Sequence, residues 1–96
     1  MPTFVVLLSW TEKGIKDYKD APSRADAFNE QLGNLATLRE VYWTVGPYDA
    51  VGLLESADEE SAAAALLALG AQGNVRSTTM RAFTTDEFKA LIEKTG

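Results

Sequence analysis

The sequence reads as an α+β domain of the order β-α-β-β-α-β with one extra C-terminal helix. This is the ferredoxin-like plan, a four-stranded antiparallel sheet with its helices on one face. Three observations predict it. A short N-terminal run, Thr3–Trp10, is apolar on both parities. Two β-rich stretches flank the breaker Gly46-Pro47. Two helical stretches each stop at a glycine, Gly33 and Gly70. With 96 residues the chain makes one domain, residues 1–96.

Thr3–Trp10 (TFVVLLSW) is β-branched and aromatic, the mark of a strand buried on two faces. Thr11–Asp20 is polar, contains Gly14, and reads as a loop or a short helical turn. Pro22 suits a helix start, where its missing N–H costs nothing, and Ala25, Phe28 and Leu32 follow at helical spacing. The first long helix is therefore predicted over Pro22–Leu32. Leu38–Val45 and Tyr48–Glu55 are the next strands, joined as a hairpin. Ser56-Ala57-Asp58-Glu59 has the capping-box spacing and opens an Ala/Leu-rich helix ending at Gly70. Val75–Phe83 is the fourth strand. Thr84-Thr85-Asp86-Glu87 is a second capping box, opening a helix with Phe88, Leu91 and Ile92 turned inward.

The hairpin sets a register. With Gly46-Pro47 as the turn, Val45 opposes Tyr48, Trp43 opposes Ala50 and Val41 opposes Gly52. That apolar face is assigned to the helices. The other face pairs Thr44 with Asp49, Tyr42 with Val51 and Glu40 with Leu53, and it also carries half of the first strand. Leaving such a face wet costs about 25 cal/mol per Å². Nothing after the last helix is long enough to cover it, so a second copy is expected to, as a two-fold homodimer through the sheet face.

Composition narrows function. There is no Cys and no His, which excludes disulfides, thiolate or Ser-His-Asp nucleophiles and the usual N/S metal sites. No cofactor or metal is expected. The net charge of −5 argues against nucleic acid and anionic membranes as partners. The apolar runs Phe4–Leu8 and Ala62–Leu69 fall short of the roughly 18 residues needed to span a bilayer. The N-terminus lacks a signal-peptide layout, so a cytoplasmic location is expected.

Several stretches resemble the GYD domain family: Ser9–Lys16 (SWTEKGIK), Tyr42–Asp49 (YWTVGPYD, with its Gly-x-Tyr-Asp signature), Asp58-Glu59-Glu60, Gly73–Arg76 and Arg81–Thr84. They run in family order over nearly the whole chain. Ser56-Ala57 departs from the family's frequent Ala-Pro, and the link from Gly33 to Val41 is longer than usual. The resemblance implies a dimeric α+β barrel and no particular activity. The wider superfamily includes cofactor-free monooxygenases, haem-degrading enzymes and small-ligand sensors, an analogy of fold alone.

Candidate sites follow. Asp49 and Tyr48, beside Gly46, read either as a carboxylate and phenol at a pocket mouth or as turn architecture in which Gly46 supplies a positive φ. Asn74, Arg76 and Arg81 read either as anion ligands or as partners of Asp49, Glu40 or Glu55. Trp10, Tyr18, Phe28, Trp43, Met80 and Phe83 either line an apolar cavity or fill the core. Asp58-Glu59-Glu60 reads as helix capping rather than a cation site, and the Gly70–Asn74 loop lacks the ending of a phosphate loop.

Two functions result. One is a non-enzymatic dimer binding a small organic ligand, with Trp43, Asn74, Arg76, Trp10 and Met80 as candidate ligand-binding residues. The other is cofactor-independent oxidation or isomerisation of a small aromatic or carbonyl substrate. There Asp49 would relay a proton, Tyr48 and Asn74 orient the substrate, and Arg81 stabilise negative charge. Docking on a larger protein by a sheet edge is a third option.

Overall fold

Four strands form one antiparallel sheet in a computed structural model that describes the whole chain, Met1–Gly96. They are β1 (Thr3–Trp10), β2 (Ala36–Trp43), β3 (Ala50–Ser56) and β4 (Val75–Ala82), in the spatial order β2-β3-β1-β4. The doubly apolar β1 takes a central place, paired with β3 on one side and β4 on the other. The helices are α1 (Glu12–Lys16), α2 (Ala21–Leu32), α3 (Glu59–Ala71) and α4 (Thr85–Lys94), with a 3-10 turn at Tyr18–Asp20. This is the ferredoxin-like order. No helix is long and apolar enough to cross a membrane.

One face of the sheet packs on α2 and α3. Phe4 and Val6 of β1 and Leu54 of β3 meet Phe28 and Leu32 of α2 and Ala62 and Ala65 of α3. The alanines let α3 lie close to the sheet, and Ala65 is completely buried. Replacing Leu54 by Ala would cost about 2–5 kcal/mol. Gly33 ends α2 at φ +54°, a conformation that excludes most side chains.

The hairpin register is the expected one: Trp43 opposes Ala50, Tyr42 opposes Val51 and Val41 opposes Gly52. Two details differ. The strands stop at Trp43 and start at Ala50; beyond them the Thr44 N–H still donates to the Asp49 carbonyl (2.9 Å), and the Thr44 hydroxyl donates to the Tyr48 carbonyl (2.6 Å) within the turn. Gly46 does not take a positive φ, which is confined to Gly33, Gly73 and Gly96. Nearer its start, β2 carries a bulge between Leu38 and Glu40, so the pairing slips at Arg39.

Two other expectations are corrected. Ser56 does not cap α3. It is buried, and its hydroxyl donates to the Leu35 carbonyl (3.0 Å), while Asp58 is the cap, accepting from the Ser61 N–H (2.7 Å). Of the two readings of Thr11–Asp20, the short helical turn holds: the stretch forms α1 and the 3-10 turn. The Thr84–Glu87 capping box forms in full, but α4 does not turn Phe88 and Ile92 inward: they are 56% and 54% exposed. The helix leaves the end of β4 and has no substantial contact with any other element.

The sheet face away from α2 and α3 is apolar across its middle. Leu7 lies beside Val51, and Val5 lies between Leu53 and Met80. Tyr42 flanks Val51 and is 59% exposed.

Candidate functional site

The ends of β1, β2 and β3 nearest the Gly46-Pro47 turn, together with α2 and α3, border a partly open cavity of about 70 Å³. Its walls are Val6, Leu8 and Trp10 of β1, Val41 and Trp43 of β2, Ala25 and Phe28 of α2, and Leu66 and Leu69 of α3. Alternation along the strands aims these side chains at the helices. At roughly 10–15 Å³ per water the space holds about five waters, or a ligand of a few heavy atoms. Arg24, Asp49, Gln72 and Asn74 are its polar lining.

Two of these polar side chains are held by the main chain. One carboxylate oxygen of Asp49 accepts from the Trp10 N–H (2.8 Å), and the Asp49 N–H donates to the Leu8 carbonyl (2.7 Å). Asp49 thus prolongs the β1–β3 pairing beyond Ala50. The Arg24 guanidinium donates to the carbonyls of Asp17 (2.8 Å) and Gly14 (3.3 Å), serving the C-terminal end of α1.

The turn beside Asn74 is clasped by α1. The Thr11 hydroxyl, which caps α1 by accepting from the Gly14 N–H, donates to the Gly73 carbonyl (2.6 Å). The Thr11 N–H donates to the Asn74 carbonyl (3.1 Å), and the Lys13 ammonium donates to the Gln72 carbonyl (2.9 Å). Gly14 is buried in this contact, and a Cβ there would stand 1.9 Å from the Asn74 carbonyl oxygen. Gly73 closes the turn at φ +79°.

The residues singled out from sequence are therefore divided. Trp10, Trp43, Asn74 and Asp49 come together around the cavity. Tyr48 lies in the exposed hairpin turn. Arg76 and Met80 oppose Ser9 and Val5, on the helix-free face. Arg81 opposes Phe4, whereas Asp49 holds Trp10. Those β1 residues are roughly 20 Å apart at about 3.3 Å per residue. Arg81 donates to the Thr3 carbonyl (3.1 Å) and to the Ala82 carbonyl, and stacks 4.3 Å over the Phe83 ring. Glu55 pairs instead with Arg39.

Arg24 lines the cavity and Gly14 braces the Asn74 turn beside it, and neither carried a sequence signal for that role. Thr11-x-x-Gly14 does have N-cap spacing. Arg24 is reached only through tertiary packing.

Away from the cavity, two carboxyls sit below their ordinary range. Asp58 is lowered chiefly by the Ser61 backbone N–H and Glu87 by that of Thr84, each at the start of a helix. The acidic run at Asp58 is thus a helix cap, and no three carboxylates gather in a way that would hold a metal ion.

The GYD domain family matches residues 4–92. A glutamine synthetase and cystathionine beta-lyase binding protein of Thermus thermophilus is 33% identical over 95 residues, covering 97% of this chain and all of that protein. A solved protein from Thermus thermophilus is 29% identical, with a TM-score of 0.56 over 88% of this chain and 96% of its own. A feast or famine regulatory protein from M. tuberculosis, solved with L-methionine, superposes with a TM-score of 0.67 at 19% identity over 88% of this chain. The chain spans only 52% of that regulator, and the likeness is one of fold.

Proposed function

The chain belongs to the GYD domain family, and on that premise we propose that it is a binding protein: a homodimer closed through its helix-free sheet faces, each protomer holding a small apolar ligand in the cavity between sheet and helices. The observation that carries this is the division of the candidate residues. Aromatic and aliphatic walls converge on one cavity whose carboxylate, Asp49, is tied to the Trp10 N–H, while Tyr48 and Arg81 stand elsewhere. That arrangement favours holding an apolar body over moving a proton, since a general base needs the substrate proton within hydrogen-bond reach. The relative named for binding glutamine synthetase and cystathionine beta-lyase supports a partner-binding role, with the dimer as the unit that docks.

Both tryptophans of the chain line the cavity, so tryptophan emission, excited selectively over the three tyrosines, reports on it. Titration with a panel of small neutral aromatics is expected to give a saturable emission change. Ala25→Leu, which fills the cavity from α2, should abolish it. A panel that leaves emission and melting temperature untouched would overturn the ligand reading. Light scattering at micromolar concentration should give twice 10.4 kDa, and a monomer would overturn the dimer.

A further inference from the structure

We propose that α4 is an arm exchanged between two copies of this chain: its Phe88, Leu91 and Ile92 stripe packs on the partner copy and completes the sheet-face interface. This rests on the dimer reading above and adds to it which element the dimer cannot do without.

The stripe occupies positions i, i+3 and i+4, one face of a helix, with Asp86, Lys89 and Glu93 elsewhere around the helix. A stripe of that kind normally faces a core. Here Phe88 and Ile92 are more than half exposed, and α4 buries no residue of its own. The helix is nevertheless firmly built. Thr84 accepts from the Glu87 N–H (3.1 Å) and Glu87 accepts from the Thr84 N–H (2.8 Å). A pre-formed apolar helix loses little entropy on docking.

Area points to a second copy as the occupant. Four strands about 4.8 Å apart and about 26 Å long present a face of roughly 500 Å². A stable interface takes about 800 Å² from each partner. The ten-residue α4 is about 15 Å long and about 10 Å wide, so its stripe covers roughly 150 Å². Under two-fold symmetry each protomer gives one helix and receives one. The helix given therefore adds its roughly 150 Å² to the roughly 500 Å² face and brings each protomer to about 650 Å², within the about 600–1,000 Å² per partner of stable interfaces. The helix also leaves from β4, an edge of the same sheet, so stripe and face can form one continuous surface.

The test is analytical ultracentrifugation of the full-length chain, wild type against Phe88→Asp/Ile92→Asp and, separately, Leu53→Asp on the sheet face. The α4 double variant is expected to weaken dimerisation at least about 100-fold, as loss of central apolar anchors does. Its protomer should keep the wild-type tryptophan emission, because α4 adds nothing to the core. A dimer as tight as wild type in the α4 variant, with Leu53→Asp monomeric, would overturn the exchange and leave the dimer standing. A lowered melting temperature with an unchanged dimer constant would place α4 on its own chain and also overturn it. A monomeric wild type would remove the dimer reading, and the exchange with it.

Discussion

Gly14 and Gly46 look alike in the sequence and behave differently in space. A Cβ at Gly14 would meet the Asn74 carbonyl oxygen at 1.9 Å, a backbone atom held by the Thr11 N–H, whereas a Cβ at Gly46 meets nothing within 4 Å. Gly14→Ala is therefore expected to cost about 1–3 kcal/mol, as overpacking does. Thermal unfolding should show a drop of roughly 4–8 °C per kcal/mol. Gly46→Ala, although it alters the family signature, should leave the melting temperature within about 4 °C, because surface changes away from special features stay within about 0.5 kcal/mol. Asp49 is where stability and binding can be separated. Asp49→Ala removes a charge-assisted acceptor from the Trp10 N–H and should cost about 1–2 kcal/mol. Asp49→Asn keeps an acceptor and should retain most of that. A ligand affinity that falls with Asn as much as with Ala would show the charge itself contacting the ligand.

The helices divide by what holds them. Apolar contacts with the sheet fasten α2 and α3, while α4 depends on its cap and on whatever covers its stripe. Thr84→Ala should therefore lower far-UV helical signal, with a cap loss of about 0.5–2 kcal/mol, without loosening the core around Phe4 and Leu54. The pH response follows from the same caps. Asp58 and Glu87 have folded pKa values below their unfolded ones, so their capping contribution is complete above the ordinary carboxylate range, near about pH 4. It is lost as pH falls from there through the lower folded values. Acid titration by circular dichroism should thus fray the first turns of α3 and α4 below about pH 4. Asp58→Asn should remove the α3 part of that response.

The molecule as a whole is loosely closed for its length. Its radius of gyration is 14.5 Å and its long axis 50 Å, against about 12.5 Å expected for a compact domain of this size. Only 13 of 96 residues are buried, and a single eight-residue cluster forms the core. A protomer that buries so little while exposing Tyr42, Met80, Phe88 and Ile92 gains most from association. In the proposed dimer association through such surfaces would be apolar, so its dissociation constant should change less than about threefold between roughly 0.1 M and 1 M salt. A steep salt dependence would instead indicate an interface built on charge.

Much of this architecture was legible in residue order. Strand alternation gave the sheet faces, the hairpin parity gave the pairing of Trp43 with Ala50, and Thr84 with Glu87 marked a cap, because each is a local pattern with a fixed period or spacing. The slip at Arg39, the use of Ser56 as a buried donor rather than a cap, the clasp of α1 on the Asn74 turn and the gap between Arg81 and Asp49 were not. Each depends on which distant segments meet, and short-range spacing carries no record of that. The same holds for α4: its amphipathic stripe is written in the sequence, but whether that stripe finds its own core or another chain is settled by where the end of β4 points.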